Sequence, residues 1–301
     1  MPFDMLSDFP RPIYPSDHSQ SKHQWENKSS LTKYRDTYPF IDPFRFKYSL
    51  TGKVVIITLA HRGLGRASVN AFAAAGASIA LIGPSAQALE PVRQEIKVKY
   101  GTPILALAAN LLDPNAPTNI VRLVEEHLGP VDILLNITPP TYFRPFAQEK
   151  NITTDWWRCM EGNLKAPIAL IHAVLASMIA RHTGTIISTT SATASLHVPF
   201  MSAQGVSKAA LLKFHHQLDL EVRPKGIHSF AVNPGLIPSH IHDPEDPVVM
   251  RPEDFEMEPR MRTEVMESLP GVQFDASGLA TGTFVSINLI SRLIRNSLAL
   301  L

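Results

Sequence analysis

The stretch GTIISTTSATASLHVPFMSAQGVSK, from Gly184 to Lys208, carries three side chains with chemical uses: Ser191, Gln204 and Lys208. It begins β-branched and apolar at Thr185, Ile186 and Ile187, breaks into Ser, Thr and Ala, and restarts as a helix at Gln204. Strand, polar loop and helix in that order place a hydroxyl at a strand end. They also place an ammonium one helical turn into the next element. A hydroxyl and a cation that converge in this way polarise a carbonyl oxygen. Gln204 lies one turn before Lys208 and only donates or accepts hydrogen bonds, because a carboxamide has no proton to exchange near neutral pH.

The elements that must hold these groups alternate along the chain. Residues 54–58 (VVIIT) form a continuous apolar strand of the kind buried on both faces of a parallel sheet. Leu64, Ala67, Ala71 and Ala75 then step along a helix with a small-residue face. Strands are expected at Ser78–Gly83, Ile104–Ala108, 131–136, Ile227–Val232 and 283–288. Helices are expected at Ala86–Tyr100, 117–128 and 156–181, the last adjusted at Pro167. Ala210, Phe214, Leu218 and Val222 give the helix after Gln204 a core stripe. Strict β/α alternation with short connections predicts an α/β protein with a single Rossmann-like, doubly wound parallel sheet.

In this setting the chain resembles the short-chain dehydrogenases/reductases, and within them a subset from filamentous fungal secondary metabolism. The resemblance covers nearly everything after residue 30. It makes Ser191 the serine that follows the strand, Lys208 the lysine of a Y-x-x-x-K motif, and Gln204 the occupant of the tyrosine position. It makes Asn163, in WWRCMEGNLKAP, the asparagine that holds a water beside the lysine. The family tyrosine is the general acid/base of hydride transfer, and losing a positioned proton donor costs on the order of 10²–10⁴ in rate.

The same resemblance implies an NADP(H) site. The family turn TGxxxGxG appears here as Thr58-Leu59-Ala60-His61-Arg62-Gly63-Leu64-Gly65. Thr58, Gly63 and Gly65 are retained, Leu59 fills a glycine position, and Arg62 matches a basic residue that favours the 2′-phosphate. Asn110 stands where the family carries an acid after the third strand. Asn136 opens the segment matching NNAG, read here as Asn136-Ile137-Thr138-Pro139. Asn233-Pro234-Gly235 matches the turn bordering nicotinamide, and Lys208 also serves the cofactor. Gly83-Pro84-Ser85 carries no charge where the family reads the ribose. Leu59, Pro84 and Thr138-Pro139 together point to a cofactor groove that is narrowed or unused.

Other features bound the partners. A net charge of +1 gives no electrostatic case for nucleic acid or an acidic membrane surface. The single cysteine, Cys159, excludes an intrachain disulfide framework and reads as a buried structural thiol. No apolar run reaches the ~18 residues of a membrane span, and the opening MPFDMLSDFPRPIYPSD lacks the apolar centre of a secretory signal. A cytoplasmic protein acting on a small molecule is expected. Residues 1–48, rich in Pro, Asp, Ser and aromatics, read as an extended N-terminal arm, and residues 49–301, by resemblance, as the Rossmann-like short-chain dehydrogenase domain. By resemblance, the Pro- and charge-rich insertion at about 238–270 is a lid. Spacing assembles no metal site from His215-His216 or His240-x-His242.

Three functional classes fit these residues. The chain is an NADP(H)-dependent oxidoreductase with a relayed proton, with Tyr142 and His197 the first substitutes for the missing acid and His61, His240 and His242 behind them. Alternatively it is a non-redox catalyst, in which Ser191, Gln204 and Lys208 promote cyclisation, dehydration or isomerisation. Thirdly, it is a non-catalytic partner of an intact homologue. The resemblance implies a homo-oligomer, or a hetero-oligomer in the third case, paired through two long helices.

Overall fold

A computed structural model describes residues 46–139 and 144–234. Most of the expected arm, the lid, Tyr142, Gly235, His240, His242 and the strand at 283–288 lie outside these residues.

Six strands form one parallel sheet in the order β3-β2-β1-β4-β5-β6: β1 Val54–Ile57, β2 Ser78–Gly83, β3 Ile104–Ala108, β4 Ile133–Asn136, β5 Gly184–Thr189 and β6 Ile227–Val232. Helices α1 Gly63–Ala74, α2 Ala86–Tyr100, α3 Ala116–His127, α4 Ile152–Arg181 and α5 Ser202–Val222 join them. Alternation along β1 sends Val55 and Ile57 to one face, where they meet Leu64, Val69 and Phe72 of α1 and Leu89, Val92 and Ile96 of α2. Val54 and Ile56 face the other way, toward Ile120 and Val124 of α3, Leu170 and Val174 of α4, and Leu218 and Val222 of α5. The sheet is thus covered on both sides, which explains why its strands read as unbroken apolar runs. Sequence order reverses between β1 and β4. In such a sheet, ligands bind in the crevice beyond the carboxyl ends of the strands at that point.

Several local expectations need correction. Helix α1 buries Leu64, Gly65, Ser68, Val69, Phe72 and Ala73, while Ala67 and Ala71 are only partly buried at its flank. Bulky and small residues share the buried face, with Ala75 buried at its end and Ala67 and Ala71 packed against the same core, and Ser68 satisfies its own hydroxyl on the Leu64 carbonyl at 2.7 Å. Helix α5 begins at Ser202, two residues before Gln204, and its buried stripe is Gln204, Lys208, Leu211, His215, Leu218 and Val222. Ala210 and Phe214 sit beside it, because the face that buries Lys208 also has to be the core face.

Helix α4 begins at Ile152 and has wide, i→i+5 turns at Ile152–Trp156 and Glu161–Lys165. Pro167 has no N–H to give the carbonyl one turn earlier, and the Ala166 N–H reaches back to the Glu161 carbonyl. By length and composition α4 could cross a membrane, a feature that run length alone passed over. Its Leu170, Ile171, Val174 and Met178 are buried against the sheet.

Candidate active site

The crevice is built first by backbone closure. Beyond β1, the Thr58 hydroxyl donates to the Ile137 carbonyl and accepts from the Ile137 N–H, both at 2.8 Å, locking the ends of β1 and β4 together. Asn136 is buried and donates to Pro167 O and Ser188 Oγ, each at 3.4 Å, tying β4 to α4 and β5. Thr58 and Asn136 therefore shape the crevice floor from below.

The turn from β1 to α1 keeps the backbone path of a glycine-rich loop despite Leu59. Leu59 itself has φ +47°, the left-handed region that strains a residue bearing a Cβ by of order 1–3 kcal/mol. The carbonyl of Leu59 closes on Gly65, where an added Cβ would lie 2.1 Å from that oxygen. Arg62 is the N-cap of α1, extended and half-buried, and its side chain makes no capping hydrogen bond to the helix. An uncapped helix start after a tight turn is suited to a phosphate. These residues, with Gly63 beside them, fit a dinucleotide pyrophosphate. His61, whose ring stands against the end of β2 at Gly83, and Ser85, the N-cap of α2 accepting from Ala88 N at 3.2 Å, frame the uncharged edge. Asn110 is exposed, and its Oδ1 accepts from Leu112 N at 3.1 Å. Pro234 is buried just past β6.

At the carboxyl ends of β4 and β5 lies Lys208, 2% exposed. Its Nζ donates to the Thr138 hydroxyl and to the Thr189 carbonyl, the latter at 3.1 Å. Among the described residues it has no carboxylate partner. Burial depresses its ammonium to about 7 from 10.5, opposed only in part by the Cys159 thiol nearby. Between those values the unfolded chain holds a proton that the folded chain lacks, so stability rises with pH from about 7 toward 10.5. Lys208→Met is expected to flatten that rise and to lift the thermal midpoint at pH 7 by several degrees. Thermal melts at pH 7 and pH 9 check this; an unchanged slope would show that the ammonium is solvated.

Ser191 lies two residues past Thr189, half-buried, and its Oγ accepts from Thr193 N at 3.3 Å as it starts a short turn. Helix α5 comes close to that turn through Gly205, where an added Cβ would sit 3.3 Å from the Thr193 carbonyl. This approach brings Gln204 beside the Ser191 loop. Gln204 is 3% exposed, and its Oε1 accepts from the Cys159 thiol at 3.8 Å. Asn163 in turn donates to Cys159 O at 3.1 Å and to Cys159 Sγ at 3.5 Å, while its buried Oδ1 has no partner among the described residues. That orphaned oxygen has the environment of a buried water site. Burial pushes the Cys159 thiol up to about 11, so it stays protonated and donates.

The sheet thus gathers Ser191, Asn163, Gln204 and Lys208 at one end. His197 is exposed on the loop after Ser191. Among the described residues no group of His, Cys, Asp and Glu is arranged to hold a metal. Sequence reading missed Thr138 and Thr189 as partners of Lys208, and Cys159 as the partner of Gln204. The available signal was polar residues at the ends of adjacent buried strands, where hydroxyls have few other reasons to sit.

Residues 53–247 match the family described as short chain dehydrogenase. The chain belongs to that family. A short chain dehydrogenase of Pseudocercospora fijiensis is 40% identical over 220 residues, covering 73% of this chain and 71% of its own. The short chain dehydrogenase pigC of Monascus ruber is 33% identical over 215 residues, 70% of each chain. Among solved structures, a metagenomic short-chain oxidoreductase in complex with NADP matches with TM-score 0.59 at 29% identity, over 62% of this chain and 84% of that one. Family membership makes the chain an oxidoreductase-type fold for a small-molecule substrate, consistent with the crevice at the β1/β4 switch point.

Proposed function

We propose that this chain is an oxidoreductase using NADP(H) on a carbonyl or hydroxyl group of a small-molecule secondary metabolite. The observation that carries the reading is Lys208, buried and without a carboxylate partner among the described residues, at the same carboxyl end of the sheet as the uncapped start of α1. One end of the fold therefore offers both a phosphate seat and a cation for ribose or substrate oxygens. The complex of the metagenomic relative with NADP supports the choice of nucleotide, and the fungal relatives support the choice of substrate setting.

When bound, the nucleotide supplies the hydride. Ser191 holds the substrate oxygen, and Lys208 stabilises charge that develops on it. Gln204, its Oε1 fixed by the Cys159 thiol, contributes hydrogen bonds but no acidic proton. The proton reaches the product oxygen from water, with the Asn163 oxygen as one point of anchorage. Self-association through α4 is part of the proposal, supported by a groove between α3 and α4 lined by Pro117, Trp157, Leu164 and Ile168.

A titration of protein fluorescence with NADPH tests the reading. Saturation in the range of about 1 µM to 1 mM is expected; no binding at the upper end would overturn it. Gln204 favours a second reading, a non-redox catalyst in which Ser191, Gln204 and Lys208 polarise a carbonyl for isomerisation or dehydration. Turnover without change in NADPH absorbance separates the two.

A further inference from the structure

Position 138 carries a threonine whose hydroxyl is engaged by the one buried lysine of the crevice. Lys208 Nζ has three donors. One goes to Thr138 Oγ1 and one to the Thr189 carbonyl. The N–H of Thr138 donates to Thr189 Oγ1 at 3.1 Å, which holds its backbone, and the two hydroxyls lie 3.1 Å apart. Thr189 Oγ1 also reaches the Asn136 carbonyl at 3.4 Å, which extends the network to the end of β4. Both threonines are buried, at 9% and 5% exposure. Two of the three donors thus go to neutral oxygens of the protein itself.

We infer that Thr138 is a positioning residue that latches Lys208 in the free protein, in competition with the oxygens of an entering dinucleotide. This rests on the proposed NADP(H) site. In a buried setting, a hydrogen bond to a charged donor is worth more than one between neutral groups, and losing an acceptor leaves a costly orphan. Removing the hydroxyl therefore has two effects of opposite sign. The free protein loses an internal partner for Lys208 and becomes less stable. The liganded protein regains that partner from the nucleotide and binds it more tightly. A threonine with only a packing role would lower stability and leave affinity equal or weaker.

The test uses Thr138→Ala, Thr138→Val and Thr138→Ser in the full chain, with thermal melts and NADPH titration. Valine keeps the volume without the hydroxyl, alanine removes both, and serine keeps the hydroxyl. The alanine and valine variants are expected to melt several degrees lower and to bind NADPH roughly tenfold more tightly, with serine near the parent. A gain in alanine alone would mean that added room is responsible, and would overturn the latch. So would parental affinity in both.

The contact itself is read without nucleotide, by comparing Thr138→Val in the parent and in Lys208→Met. A midpoint loss that vanishes in the Lys208→Met background supports the latch. Equal losses in both backgrounds overturn it. If the coupling is present and no form binds NADPH, the competition is overturned through the cofactor reading, and the coupling identifies which of the two statements failed.

Discussion

Replacing Gln204 by tyrosine is expected to raise NADPH-dependent reduction of a carbonyl probe by roughly 10²-fold or more. On the reading that position 204 is where related enzymes place their tyrosine, the parent lacks only the proton donor. The cation that would acidify a phenol is in place one helical turn away, buried and without a carboxylate partner among the described residues. A positive neighbour within a few ångströms favours the phenolate and lowers its pKa. Among the described residues the substitution gives up one side-chain hydrogen bond, the long Cys159–Gln204 bond of 3.8 Å. The bond from the Ser207 hydroxyl to the backbone carbonyl of residue 204, 2.9 Å, does not depend on the side chain. The check is initial rate with a panel of aldehydes and ketones, with Lys208→Met in the tyrosine background as control. An unchanged rate in a variant that still binds NADPH would place the reacting carbon away from position 204, and would move the balance toward non-redox chemistry.

The second large effect is at Gly65, where alanine is expected to destabilise the protein by about 3 kcal/mol or more. The Leu59 carbonyl oxygen would lie 2.1 Å from the new methyl group, with the Leu59 carbonyl carbon at 2.7 Å, and both are backbone atoms that cannot rotate away. Relief requires α1 to shift from β1, across the packing of Leu64, Val69 and Phe72. The midpoint of thermal unfolding should fall on the order of 10 °C, and NADPH binding should be lost with it. Gly63→Ala is the informative contrast. That residue has φ +48° but nothing within 4 Å of the point a Cβ would occupy, so only the conformational penalty of about 1 kcal/mol applies. Equal effects at the two positions would refute the clash.

Much of the scaffold was legible because single residues carried it. The bounds of Ser78–Gly83, Ile104–Ala108 and Ile227–Val232 follow from apolar runs, and those of Ala86–Tyr100 from Ser85 before it and Gly101 after it. The gathering of Ser191, Asn163, Gln204 and Lys208 follows from motif spacing once the fold is recognised. Three features were hidden, each for a tertiary reason. The buried face of α5 is set by where Lys208 must lie, which shifts the stripe from Ala210 and Phe214 to Leu211 and His215. The wide turn at Glu161–Lys165 is more than a kink at Pro167, because it rearranges the carbonyls around Asn163. The Thr138–Lys208 contact joins residues far apart in sequence through strand-end geometry that periodicity does not encode.

The left-handed backbone of Leu59 has a bearing on how this protein could be re-engineered. The neighbouring chain already imposes the shape that a glycine would adopt, so the loop is preorganised for a residue it does not contain. Leu59→Gly would release local tension and clear an isobutyl group without redrawing the path. A route toward a more ordinary nucleotide seat therefore needs no new fold, only relaxation at one point that the scaffold is already holding open.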